Sequence, residues 1–224
     1  LDTAAVANDM DAILTAAGIA GPYVLVGHSL GSYHVRQFAN TRFDKVAGMV
    51  LVDPSGDGQA ARFSEVMPKT LAIMGKPDEA AKAANCATRL KEKLVLRDDP
   101  LFLTCKRTND GVLFEQTESE IDSMAGASTE QLTESRRSYG DLPLIVLSRG
   151  DYSAGMPPEM SASDRIGFKK VWIAMHEEMT ALSRAGVLRT IPKAGHNIQR
   201  DQPRAVIDAV NEMVAKARER APKP

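Results

Sequence analysis

The amino-acid sequence predicts an α/β fold, and three observations predict it. Short apolar runs, most of them rich in leucine and β-branched residues, recur along the chain. Segments of helical period lie between them, and several of the runs are apolar on both faces, as strands buried in a parallel sheet are. Strands that alternate with helices imply a parallel sheet covered on both sides. At 224 residues, 43% hydrophobic and 25% charged, the chain can bury a sizeable core. A formal net charge of -1 supplies no long-range field to gather nucleic acid or an anionic membrane surface, so neither is an expected partner. The longest wholly apolar runs, such as "VAGMVLV", fall far short of the roughly 20 residues that a bilayer span needs.

The elements follow in order. The opening "LDTAAVANDMDAIL" is acidic, has helical period and shows no basic segment followed by an apolar one, so no signal peptide is read in these residues. Leu1, Val6, Met10, Ile13, Leu14 and Ala17 recur at helical spacing until Gly18 and Gly21-Pro22 stop the helix. "YVLV" (23–26) is the first strand, and a helix over 32–42 follows it. The other strands are 46–52 ("VAGMVLV"), 142–148 ("LPLIVLS") and 187–191 ("VLRTI"). Helices are expected over 165–185 and 203–220. Almost ninety residues separate Asp53 from Leu142 with no convincing strand; a structureless loop of that length is improbable, so several helices are expected there. The sequence therefore divides into a core, 1–53 and 142–224, and a helical cap, 54–141.

The first junction carries chemistry. "YVLVGHSLGSYHVRQFAN" (23–40) turns from strand to helix through Gly-His-Ser-Leu-Gly. A serine hydroxyl is a poor nucleophile unless it is held in the open beside a base and beside oxyanion donors, and a sharp strand-to-helix turn holds it so. Gly27 and Gly31 flank Ser29 at the two positions where side chains are expected to collide. The backbone N–H of Leu30, at the start of the helix, is the expected oxyanion donor.

A nucleophilic serine needs a histidine. His28 sits within the turn with its side chain directed away from Ser29, and His34 lies on the following helix; both read as structural. His176, in "VWIAMHEEMTAL", reads as a solvated helix position. His196 follows the last strand in "IPKAGHNIQRDQP", on a loop where parallel sheets keep their sites, and is the expected base. Two aspartates can orient it: Asp53 comes straight off the second strand before Pro54, and Asp151 lies one residue after Gly150. Sequence order does not choose between them; the rigid backbone at Asp53-Pro54 favours Asp53, with Asp151 as the alternate and Asp57 a distant third.

Together, "PYVLVGHSLGSYHVRQFA", "VAGMVLVDPSGD", "LPLIVLSRG" and "AGHNIQRDQPRAVIDAV" resemble the α/β-hydrolase superfamily, particularly its serine esterases and lipases. The resemblance implies attack on a small-molecule carboxylic ester, an acyl-serine intermediate and hydrolysis by water activated by the same histidine. It implies no cofactor. Acyl transfer on the same scaffold, and a hydrolase-like binding protein without turnover, are the alternatives. The family ordinarily takes its acid from the loop that corresponds to Asp151, whereas some of its lipases use an Asp-Pro that corresponds to Asp53. The family's sheet also begins with strands ahead of this turn, and a loop after one of them supplies a second oxyanion donor. The expectation is that a further N-terminal segment or a second chain completes the sheet, since Tyr23 to Val26 would otherwise form an open edge.

Cys86 and Cys105 both fall in the cap, nineteen residues apart, and are compatible with one disulfide. A bridge would place the protein in a secreted or periplasmic setting, and free thiols in the cytoplasm. No cluster has metal-ligand spacing, so no metal is expected. The "RGD" at 149–151 reads as a chance tripeptide at a strand end, and Trp172 as a packing anchor. Met67, Met74, Met124, Met156 and Met160 could line an acyl pocket or fill the core.

Overall fold

The computed structural model describes residues 1–68, 70, 119–154, 156–157 and 160–220. Four strands form one parallel sheet in sequence order: β1 (Tyr23–His28), β2 (Val46–Val52), β3 (Leu144–Arg149) and β4 (Gly186–Ile191). The second strand has the bounds that its apolar run predicts. The first extends two residues beyond "YVLV", because Gly27 and His28 pair with Leu51 and Val52. Among the described residues β1 pairs only with β2, and Val26 on it is 45% exposed.

Burial on both faces follows from the alternation of side chains along a strand. Leu25, Met49, Leu51, Leu144 and Val146 pack with Val35, Phe38, Phe168 and Trp172 on one side of the sheet. Val50, Val52, Ile145 and Leu147 pack with Ala194, Ile198, Ala209 and Met213 on the other. A valine, leucine, isoleucine, phenylalanine or methionine side chain contributes about 1.5–3 kcal/mol when fully buried, in keeping with the unbroken apolar runs through β2 and from Leu144 to Leu147 of β3.

The helices supply the cover. α1 (Thr3–Ala16) starts where the Asp2 carboxylate accepts the Ala5 N–H and gives way at Gly18, whose φ of 66° is left-handed. α2 (Gly31–Thr41) leaves the first strand directly, and α3 (Gln59–Val66) follows the second. α4 (Ala127–Glu134) seats the start of α1: Ser128 Oγ accepts the Thr3 N–H and Gln131 Oε1 that of Ala4, both at 2.9 Å. α5 runs from Ala162 to Thr180, beginning three residues before the periodic segment because the Ser161 hydroxyl accepts the Asp164 N–H at 3.1 Å. After β4 come a short α6 (Ile198–Asp201) and α7 (Pro203–Arg220), with proline at the first helical position.

Met67 and Met160 are buried in the core, Met156 packs against it, and Met74 lies outside the described residues. Cys86 and Cys105, and most of the segment read as a cap, also lie outside them. Among the described residues no helix is long and apolar enough to cross a membrane.

Candidate active site

Only Ser29 and Leu30 separate β1 from α2. To turn in that space Ser29 takes φ 52°, a left-handed conformation that costs a non-glycine residue of order 1–3 kcal/mol and must be held from outside. The holding bonds come from the neighbouring strand end: Ser29 N–H donates to Val52 O, and Ser29 O accepts from Ser55 N–H, both at 3.1 Å. Gly27 is required, since a Cβ there would come within 2.7 Å of Val35 Cγ2 and 2.8 Å of Gly31 O. Gly31 corrects the expectation drawn from sequence: a Cβ on it meets no described atom within 4 Å, because it points off the first turn of α2 while its carbonyl faces Gly27. Leu30 caps α2, so its amide is one of the groups a helix start leaves without an intrahelical acceptor.

His196 lies on the loop between β4 and α6. Its Nε2 is 2.9 Å from Ser29 Oγ, and its Nδ1 is 2.7 Å from Asp53 Oδ2. If Nε2 is to accept the serine proton, Nδ1 carries the hydrogen and donates it to the carboxylate. His28 has a place in the site. Its Nε2–H donates to His196 O at 2.9 Å, and the two rings lie 4.7 Å apart.

Asp53 directly follows β2, with φ 41°, and is fully buried. Its Oδ1 accepts the backbone N–H of Arg149 and the Trp172 indole N–H, each at 3.0 Å. Its Oδ2 accepts Arg149 Nε–H at 2.7 Å and faces His196 on the other side. Burial pushes the Asp53 carboxyl up, but the hydrogen bond from His196 and the Arg149 charge outweigh it and hold the group down at about 2.

The other candidates sit elsewhere. Asp151 Oδ1 accepts Ser153 N–H at 2.8 Å, the Ser153 hydroxyl at 2.6 Å and Ala154 N–H at 3.3 Å, a local turn that leaves it away from His196. Asp57 takes a two-pronged bond from Arg36 at 2.7 and 2.9 Å. His34 contacts Thr3 Oγ1 and Glu120. His176 is a correction: it is fully buried, not solvated. Trp172, Met175, His176 and Met179 share the buried face of α5, and His176 Nε2–H donates to Pro54 O at 3.0 Å. Desolvation pushes its pKa down to about 4.

Sequence reasoning missed three groups that surround the carboxylate and the imidazole: Arg149, Trp172 and His28. A signal for Arg149 was present, since an arginine that closes a strand opening with four apolar residues, Leu144 to Leu147, is placed to be buried with it and then needs a negative partner. The arrangement joins a hydroxyl, an imidazole and a buried carboxylate into one hydrogen-bonded chain. Among the described residues no group of three or more His, Cys, Asp or Glu side chains could hold a metal ion.

Comparison with known proteins adds the following. A family model described as "Alpha/beta hydrolase family" matches residues 1–209. The uncharacterized protein YqjL of Bacillus subtilis is 23% identical over 199 residues, 89% of this chain and 59% of YqjL. The lipase LipV of Mycobacterium tuberculosis is 40% identical over 68 residues, 30% of this chain and 26% of LipV. The chain thus spans less than two thirds of the length of either relative. The solved structure of a probable hydrolytic enzyme from Pseudomonas aeruginosa aligns with a TM-score of 0.59 at 16% identity, covering 96% of this chain and 70% of that one.

Proposed function

Because the chain belongs to the alpha/beta hydrolase family, we propose that it is a serine hydrolase that cleaves a carboxylic ester through an acyl-serine intermediate. The observation that carries this reading is the chain of contacts from Ser29 Oγ to His196 Nε2 at 2.9 Å and from His196 Nδ1 to Asp53 Oδ2 at 2.7 Å. That LipV is named a lipase supports the ester class.

Ser29 Oγ attacks the ester carbonyl carbon while His196 Nε2 takes its proton, and the carbonyl π pair moves onto oxygen. Leu30 N–H donates to that oxyanion, aided by the start of α2. The oxyanion then collapses, the bond to the alkoxy oxygen breaks, and His196 passes its proton to the departing alcohol. Water repeats the sequence on the acyl-serine: His196 takes its proton, the acid leaves, and the proton returns to Ser29 Oγ. Asp53 stays ionised throughout and stabilises the imidazolium.

The test is labelling by an alkyl fluorophosphonate, located by peptide mass spectrometry. The expected result is one adduct on Ser29 that disappears in His196→Ala. An adduct elsewhere, or none on Ser29, removes the reading.

A further inference from the structure

Arg149 is gripped from several sides. It ends β3, and its side chain is 3% exposed. The guanidinium donates through Nε at 2.7 Å, and its NH2 nitrogen lies 2.6 Å away, both on Asp53 Oδ2, the oxygen that His196 also faces. The same NH2 nitrogen is 2.9 Å from His196 Nδ1. The main-chain N–H of Arg149 takes the other carboxylate oxygen, so one residue grips Asp53 at both ends and prevents its rotation. The guanidinium plane is itself fixed, with its carbon 4.5 Å from the Trp172 ring centre and 5.6 Å from that of Phe168.

The electrostatic consequence depends on what else surrounds the pair. From β1 comes His28, and from α5 comes His176; burial pushes both pKa values down and disfavours a charge on either ring. Beyond β3, burial raises the Tyr152 hydroxyl, which contacts Ser148 Oγ at 3.2 Å. From α6, Asp201 accepts Gly195 N–H at 2.8 Å, while Lys193 and Arg200 beside the loop are exposed. Among the described residues Arg149 is therefore the cation in direct contact with the His196–Asp53 pair. A positive charge at that distance penalises any further proton on the pair.

We propose that Arg149 is a positioning residue that locks Asp53 in place and, through its fixed charge, keeps the His196–Asp53 pair unprotonated and competent as a base to a lower pH than the pair would reach alone. The proposal rests on the serine hydrolase reading for its meaning. Its test does not.

The experiment follows the His196 imidazole by NMR titration of the full chain, its signal assigned by its loss in His196→Gln, in wild type, Arg149→Met, Arg149→Gln and Arg149→Lys. The pH dependence of phosphonate labelling is measured alongside. Acid-side midpoints belong to the pair as a whole, and they are expected about one pH unit higher in the two neutral variants and within about a third of a unit of wild type in the lysine variant. Labelling rates are expected to move with them. Coincident midpoints in all four proteins, or a pH-independent loss of labelling, overturn the proposal. Failure of both neutral variants to fold while Arg149→Lys folds assigns Arg149 to structure alone and overturns it equally. Absence of Ser29 labelling in wild type counts against the hydrolase reading, while the NMR comparison still decides the part played by Arg149.

Discussion

The turn after β2 and the turn after β3 each offer an aspartate, and the two have opposite fates. Asp53 is fully buried at φ 41°, with donors on both oxygens from residues 96, 119 and 143 positions away. Asp151 caps the backbone of its own turn, two and three residues on. The difference teaches that a carboxylate at a strand end becomes useful to the imidazole only when other elements converge on it; left to itself it satisfies the nearest N–H groups.

The largest effect expected from this contrast is on turnover. Asp53→Asn should lower kcat on a chromogenic ester by about 10³–10⁴-fold, while Asp151→Asn changes it less than about twofold. Comparable losses in the two variants would erase the distinction drawn between the turns. Next in size is the support beneath Asp53. His176, which donates to the carbonyl of Pro54, has a pKa near 4 when folded, below its ordinary 6.5. Between those values the unfolded chain binds the proton that the fold refuses, so stability present above pH 6.5 drains away as pH falls toward 4, by about 3 kcal/mol. Urea unfolding should show this slope in wild type and a flatter one in His176→Asn.

Asp53 itself contributes in a lower window. Its carboxyl lies at about 2 rather than the ordinary 3.8, so it favours the fold above pH 4 and loses that contribution, about 2 kcal/mol, as pH drops through 2. The stability difference between wild type and Asp53→Asn should shrink across that window, and by more than the corresponding difference for Asp151→Asn, whose carboxylate is held down only by its own turn. The smallest effect is expected of Trp172→Phe, which keeps the packing on Phe63 and Phe168 but deletes the donor to Oδ1. A neutral-to-charged hydrogen bond of about 1.5 kcal/mol corresponds to roughly a tenfold loss in kcat with KM unchanged, and a KM change alone would assign the indole to substrate binding.

Much of the frame was legible beforehand because it depends on local pattern. The strand 46–52 and the helix 203–220 stand at the bounds that their periodicity gives, and the Gly-rich segment at Ser29 announces a sharp strand-to-helix turn. The errors are instructive for the same reason. Gly31 was read as sterically required because only its spacing from Ser29 was visible, whereas the tight contact belongs to Gly27. His176 was read as solvated from its glutamate neighbours, yet those lie on the outer side of α5 while the ring faces the core with Trp172.

By itself the sequence determined the alternation of strands and helices, the membership that this pattern and the Gly-His-Ser-Leu-Gly turn announce, and the candidate hydroxyl and imidazole of the contact chain, Ser29 and His196. These are properties of short windows, where φ, spacing and apolar period act between near neighbours. Only the tertiary structure decided between Asp53 and Asp151, and only it gathered Arg149, Trp172 and His28 around the imidazole and carboxylate. Those hydrogen-bonding contacts span 47 to 168 positions and form when parallel strands deliver their carboxyl ends to one place, a convergence that no local pattern encodes.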